Sequence, residues 1–178
     1  MPATAAPTTI TIRRPMAPSP ADLAGLADVL VDCVEGGASV SFMLPLSRER
    51  ALAFWQRVAD GVARDERALL VAEDEAGIVG TVQLVFDLPE NQPHRADLAK
   101  MLVHRRGRRR GLGEALMRAA EQLGRDSDKS LLVLDTVTGG DAERLYARLG
   151  WQKCGVIPNY ALWPQGGFCD TTYFYKAL

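Results

Sequence analysis

Asp97-Leu98-Ala99-Lys100-Met101-Leu102-Val103-His104-Arg105-Arg106-Gly107-Arg108-Arg109-Arg110-Gly111-Leu112-Gly113-Glu114-Ala115-Leu116 runs from an apolar strand, through an arginine- and glycine-rich turn, into an amphipathic helix. A helix start leaves backbone N–H groups unpaired, its dipole favours negative charge, and glycine lets a ligand approach the main chain. Strand, turn and helix together therefore describe a phosphate site. Arginines beside such a turn can grip phosphate oxygens in pairs. Spacing excludes two other phosphate loops: the turn lacks a Gly-Lys-Ser/Thr ending, and Leu116 stands where G-x-G-x-x-G requires its last glycine. Taken alone, the arginine run also fits a solvated charged surface or a nucleic-acid patch.

Working outward, the helix places Leu112, Leu116, Ala119, Ala120 and Leu123 on one face, with Gly124 near its end. Residues 131–134, Leu-Leu-Val-Leu, form an unbroken apolar strand of the buried type. Strand, helix and strand imply a right-handed crossover, so residues 96–103 and 131–135 should lie parallel in one sheet. Upstream, residues 69–73 and 78–86 are strand-like and joined by Asp74-Glu75-Ala76-Gly77, a hairpin signal. Residues 87–94 form a loop.

Residues 8–14 read as a first strand, with residues 1–7 flexible ahead of it. Ser19-Pro20-Ala21-Asp22 starts a first helix that stops at Gly36-Gly37, and Ser47 starts a second with Leu52, Trp55, Ala59 and Val62 on one face. Between them, residues 38–46 are apolar but carry Ser39, Ser41 and Pro45. They fit either a lid or a surface loop that packs Phe42 and Met43 inward. Asp141 starts a fourth helix, with Ala142, Leu145, Tyr146 and Leu149 facing in. Residues 151–157 and 171–175 are the last strands, separated by a loop containing Tyr160, Trp163 and Pro164. The order is β-α-α-β-β-β-α-β-α-β-β, an α/β chain with a mixed sheet and no internal repeat.

Composition narrows the function. The chain has 178 residues, one domain's worth, and 47% of them are apolar. No apolar run approaches the roughly 20 residues of a membrane span. Arg13 and Arg14 follow rather than precede any apolar segment, so no secretory signal is expected and the location is read as cytoplasmic. Three cysteines without Cys-x-x-Cys spacing and two histidines exclude a disulfide framework and a metal cluster. A formal net charge of −1 removes any global attraction to nucleic acid.

Residues 108–113 fit R-x-x-G-x-G/A, and in this the chain resembles the GCN5-related N-acetyltransferases. Gly36-Gly37-Ala38-Ser39-Val40-Ser41-Phe42-Met43, Arg95-Ala96-Asp97, Leu134-Asp135-Thr136 and Pro158-Asn159-Tyr160 are similar to the tabtoxin-resistance branch, from about residue 20 onward. The resemblance implies a single N-acetyltransferase domain over residues 8–178, whose two central parallel strands splay apart to admit the pantetheine arm of acetyl-CoA. It assigns the pyrophosphate to Arg108, Arg109, Arg110, Gly111, Leu112, Gly113 and Glu114. Met101, Leu102 and Val103 would line the pantetheine, Met101 and Val103 through backbone groups. Arg105, Arg106 or Arg109 would reach the 3′-phosphate. The chain departs from its relatives in carrying arginine at 109, where glycine is common, and no proline near Arg105.

By the same resemblance Asp97 and Asp135 are the carboxylates that take the amine's proton, through a shared water, or bind its ammonium; Asp135, closing the run Leu131-Leu132-Val133-Leu134, is alternatively a strand end reaching solvent. Strand alternation puts Asp97 on the same face as Val103. Tyr146 would protonate the leaving thiolate; on helical spacing alone it is equally an ordinary core tyrosine. The implied acceptor is a small amino-acid-like amine or toxin, met by Glu35, Ser39, Phe42 and Tyr160, with Glu35 toward an ammonium and Ser39 or Ser41 toward a carboxylate unless each simply caps a helix or turn, and the enzyme a monomer or homodimer. A peptide acceptor, or a module that binds CoA or nucleic acid without chemistry, are the competing readings. No membrane, nucleic-acid or metal partner is expected.

Overall fold

The computed structural model describes residues 9–178. The expected flexible segment, residues 1–7, and Thr8 lie outside them. The elements are β1 (Thr11–Arg13), α1 (Pro20–Glu35), α2 (Arg48–Ala63), β2 (Arg67–Asp74), β3 (Gly77–Val85), β4 (Arg95–Val103), α3 (Leu112–Asp126), β5 (Leu131–Val137), α4 (Asp141–Arg148), β6 (Gln152–Leu162) and β7 (Phe168–Ala177). The seven strands form one sheet in the order β1-β2-β3-β4-β5-β7-β6, with β4 and β5 parallel and every other pair antiparallel. Element order and the parallel pair are as the sequence implies.

The sheet is covered on both faces. Ala96, Leu98, Leu132, Leu134 and Phe174 point to one side and pack with Leu112, Leu116 and Met117 of α3 and Tyr146 and Leu149 of α4. Leu69, Val71, Ile78 and Leu102 point to the other and pack with Leu26, Leu30 and Val34 of α1 and Trp55, Val58 and Val62 of α2. Burying a large aliphatic or aromatic side chain stabilises by about 1.5–3 kcal/mol, so α1 and α2 are held by this packing more than by propensity. The buried stripe of α2 is centred on Ala51, Trp55, Val58 and Val62, with Leu52 and Ala59 only partly covered at its margin, a rotation from the expected face.

Two irregularities shape the middle of the sheet. β4 and β5 pair only at Arg95↔Leu131, Ala96↔Leu132 and Asp97↔Val133, although both strands continue beyond. The parallel strands part after Asp97, and a gap opens between their C-terminal ends. On its other side β4 carries a bulge: Gln83 pairs Ala99 and Thr81 pairs Leu102, so Lys100 and Met101 together oppose Val82, and Lys100 takes φ 52°. The bulge reverses the alternation. Asp97 therefore faces the α1/α2 side while Val103 packs toward α3, correcting the expectation that they share a face.

Candidate active site

After Val103 the chain makes a 3-10 turn, Arg105–Gly107, then passes through Arg109 (φ 59°) and Gly111 (φ 73°), both left-handed, into α3. A side chain at Gly107 would meet Val79 Cγ2 at 2.4 Å, so the turn lies directly on β3. Arg109 adopts a left-handed backbone of the kind that favours glycine. The start of α3 differs from those of α1 and α2. Ser19 accepts from the Asp22 amide and Ser47 from the Arg50 amide. The cap of α3 is Gly111, which has no side chain to offer, and the first intrahelical bond runs from the Ala115 amide to the Gly111 carbonyl. The amides of Leu112, Gly113 and Glu114 are left without a side-chain cap, which is how a helix start receives an anion.

The arginines divide by role. Arg105 binds Asp32 through its amide at 2.8 Å and its guanidinium, and Arg106 binds Asp74 and the carbonyls of Gly77 and Ile78. The Arg106 guanidinium holds the Asp74 carboxyl below the usual carboxylate range. Arg110 lies 3.9 Å from Asp74, and Arg108 donates to the Val103 carbonyl at 3.2 Å. Arg105 and Arg106 are thus committed to the fold, and Arg109 makes no hydrogen bond or ion pair among the described residues. The Val103 carbonyl, assigned above to the pantetheine, is shared by Arg108 and the Cys33 thiol at 3.5 Å. Leu102 and Leu112 are buried, so only their backbones can serve a ligand. Met101 lies against Gly113, and Glu114 pairs with Arg118 one turn on.

On the α1/α2 face the gap is flanked by polar side chains of β4, β5 and β7, a region we call the chamber. Since Leu132 and Leu134 face α3, Asp135 projects the other way, beside Thr171 and Tyr173 of β7. Asp135 Oδ2 accepts from Thr171 Oγ1 at 3.0 Å. Asp97 is on the same face, one strand over, bound to the Arg95 guanidinium. The Tyr173 hydroxyl meets that of Tyr160 at 2.8 Å, and this bond, with burial and the Asp135 charge, raises its pKa. Residues 38–46 roof the chamber. Ser39 donates to the Leu162 carbonyl at 2.8 Å, the Leu44 amide donates to the Pro164 carbonyl at 2.9 Å, and Phe42 stands edge-on to Phe54. The segment has features of both sequence readings: its bonds to the β6–β7 hairpin fit a lid, and Phe42 packs against the α1/α2 core as in a surface loop, whereas Met43 stays 39% exposed rather than packing inward.

An acetyltransferase (GNAT) domain model matches residues 65–153, half of the 178 residues, from β2 to the start of β6. The chain belongs to this family. Among solved structures, ribosomal-protein-alanine N-acetyltransferase from Brucella melitensis is similar at 24% identity and TM-score 0.77, over 94% of this chain and 99% of that one. An N-acetyltransferase from Staphylococcus aureus Mu50 aligns at 14% identity and TM-score 0.79, over 96% and 99%. So does yncA from Salmonella typhimurium, solved with its cofactor acetyl-CoA, at 20% identity and TM-score 0.76, over 95% and 94%.

Within this GNAT chain, Tyr146 lies across the sheet from the chamber, 4% exposed, its ring against Trp151 and Phe174. Burial, and secondarily the Asp135 charge, raises its pKa. Glu35 is not with the others: it ends α1 in an outer groove of about 310 Å³ with Asp28, Asp32, Arg48, His104 and Arg105. Tyr160 belongs to β6 rather than to a loop, because the strand runs on to Leu162. No group of three or more His, Cys, Asp or Glu able to hold a metal occurs among the described residues, and none of their helices is long and apolar enough to cross a membrane. Cys33 is buried with its thiol pushed up by desolvation, unlike an activated nucleophile. Sequence reasoning missed Lys100, although a lysine inside an apolar strand was a visible signal.

Proposed function

We propose that the chain transfers the acetyl group of acetyl-CoA to the amine of a small amino-acid-like acceptor, a toxin of that kind included, by direct attack in a ternary complex in the cytoplasm. The uncapped start of α3 fits a diphosphate, and the gap between β4 and β5 fits a slender arm reaching the chamber. Acetyl-CoA, when bound, supplies an activated acyl group on a thiolate leaving group. The amides of residues 109–113 and the Arg109 guanidinium hold its phosphates. Asp135, with Asp97 behind it, holds the acceptor's ammonium and takes its proton, directly or through a water. Tyr146 keeps a proton for the departing sulfur.

The observation that carries the small acceptor over a peptide is the roof. Residues 38–46 are bonded to the β6–β7 hairpin at Leu162 and Pro164, which opposes an open groove of the kind an extended peptide would need. Thiol release should be followed with amino acids, amino-acid-like antibiotics and toxins, and peptides bearing a free N-terminus. Turnover confined to the small amines is expected; turnover of peptides alone would overturn this reading.

Tyr146→Phe should lower kcat by about tenfold or more, at the low end for a general acid, with Tm changed little because the ring packing is kept. An unchanged kcat would make Tyr146 a core residue only.

A further inference from the structure

The bulge in β4 gives Lys100 an unusual place. Without it, alternation would send residue 100 toward α3; with it, the side chain enters the chamber beside α2. Its ammonium lies 3.2 Å from Ser41 Oγ and 5.7 Å from the centre of the Phe54 ring. Ser41 is itself left-handed, at φ 78°. Among the described residues no carboxylate forms an ion pair with Lys100, so a partly buried positive charge rests on a hydroxyl and a ring face. Such a charge is costly unless an anion joins it. Desolvation pulls the Lys100 ammonium below the usual lysine range, Asp135 opposes that, and Arg67 adds to it.

Asp135 is its counterpart. The last β4–β5 pair is Asp97↔Val133; Lys100 is three residues beyond it on one strand and Asp135 two beyond on the other. The two stand across the gap with opposite charges, yet each is bonded elsewhere, Lys100 to Ser41 and Asp135 to Thr171. A chamber with a cation on one wall and an anion on the other is complementary to a dipolar molecule.

We propose that Lys100 and Ser41 form a subsite for the carboxylate, or an equivalent acidic group, of a zwitterionic acceptor, whose ammonium is thereby placed at Asp135. This rests on the small-amine reading above and narrows it to amines that carry a negative charge. Lys100 is a specificity-determining residue that touches the acceptor away from the reacting atoms. The same bulge that opens β4 toward the thioester end of the gap supplies the charge that orients the amine.

The test uses each L-amino acid that the full chain acetylates, paired with its own carboxamide, which has the amine but not the carboxylate. The wild type should favour the acid over the amide by about tenfold or more in kcat/KM, mostly through KM. Lys100→Met should erase that preference, with the loss falling on the acid through KM, and should keep its affinity for acetyl-CoA. Lys100→Arg should keep part of the preference. Equal use of acid and amide by the wild type overturns the proposal without touching the acetyltransferase reading, and does so even where Lys100→Met does not fold. An undiminished preference in a folded Lys100→Met also overturns it. Failure to acetylate any small amine removes both readings.

Discussion

Asp135→Asn is expected to lower kcat/KM for the amine acceptor by about a hundredfold, the lower part of the 10²–10⁴ range that a positioned general base contributes, if Asp135 takes the amine's proton as proposed. Asp135 sits where β5 has left β4, so nothing on that side of the strand covers it, and its only hydrogen-bond partner among the described residues is the Thr171 hydroxyl. Asparagine can still accept from Thr171 but cannot hold a proton or neutralise an ammonium. Being exposed, the substitution should move stability by no more than about 0.5 kcal/mol. Asp97→Asn should cost about tenfold, because that carboxylate is already bound to Arg95 and works from behind Asp135. Rates at saturating acetyl-CoA, with Tm measured in parallel, check both. Full activity of Asp135→Asn across the pH range would remove the residue from the reaction.

Gly111→Asp is expected to weaken acetyl-CoA binding by tenfold or more while leaving the fold in place. Gly111 is left-handed at φ 73° and has open space where a side chain would go, so aspartate fits with a backbone cost of about 1–2 kcal/mol. Its carboxylate then occupies the start of α3, where the dipole welcomes negative charge. Two unit charges about 4 Å apart repel by about 4 kcal/mol at an effective dielectric of about 20, and salt at the exposed loop reduces this. Titration of the variant with acetyl-CoA reads the loss, and Gly111→Asn, which matches size without charge, should lose much less. Equal losses in the two variants would mean that bulk rather than charge matters there.

Much of this architecture was legible because it is local. Ser19 and Asp22 form the capping box that their spacing implied, Gly36-Gly37 ends α1, and the apolar run at 131–134 became the strand parallel to β4. The turn before α3 was legible for the same reason: a glycine followed by an amphipathic helix is written in consecutive residues. What the sequence hid depends on distant partners. Arg105 and Arg106 look alike in the run, but Asp32 and Asp74, 73 and 32 residues away, take them for the fold. The bulge has no glycine to announce it, since Lys100 itself adopts the positive φ, and so the phase of Val103 was misjudged. Glu35 follows helical geometry to an outer groove, although it neighbours in sequence the segment that roofs the chamber.

The central claim is that main-chain amides at the turn before α3 hold the diphosphate of acetyl-CoA and so aim its acyl group down the gap between β4 and β5. Competitive inhibition by CoA, 3′-dephospho-CoA and pantetheine, measured side by side, tests it most directly. Removing the 3′-phosphate should weaken inhibition modestly, through Arg109 alone, while pantetheine, which lacks the diphosphate together with the adenosine, should inhibit more weakly than 3′-dephospho-CoA by a hundredfold or more. Pantetheine that inhibits as tightly as CoA would contradict the account.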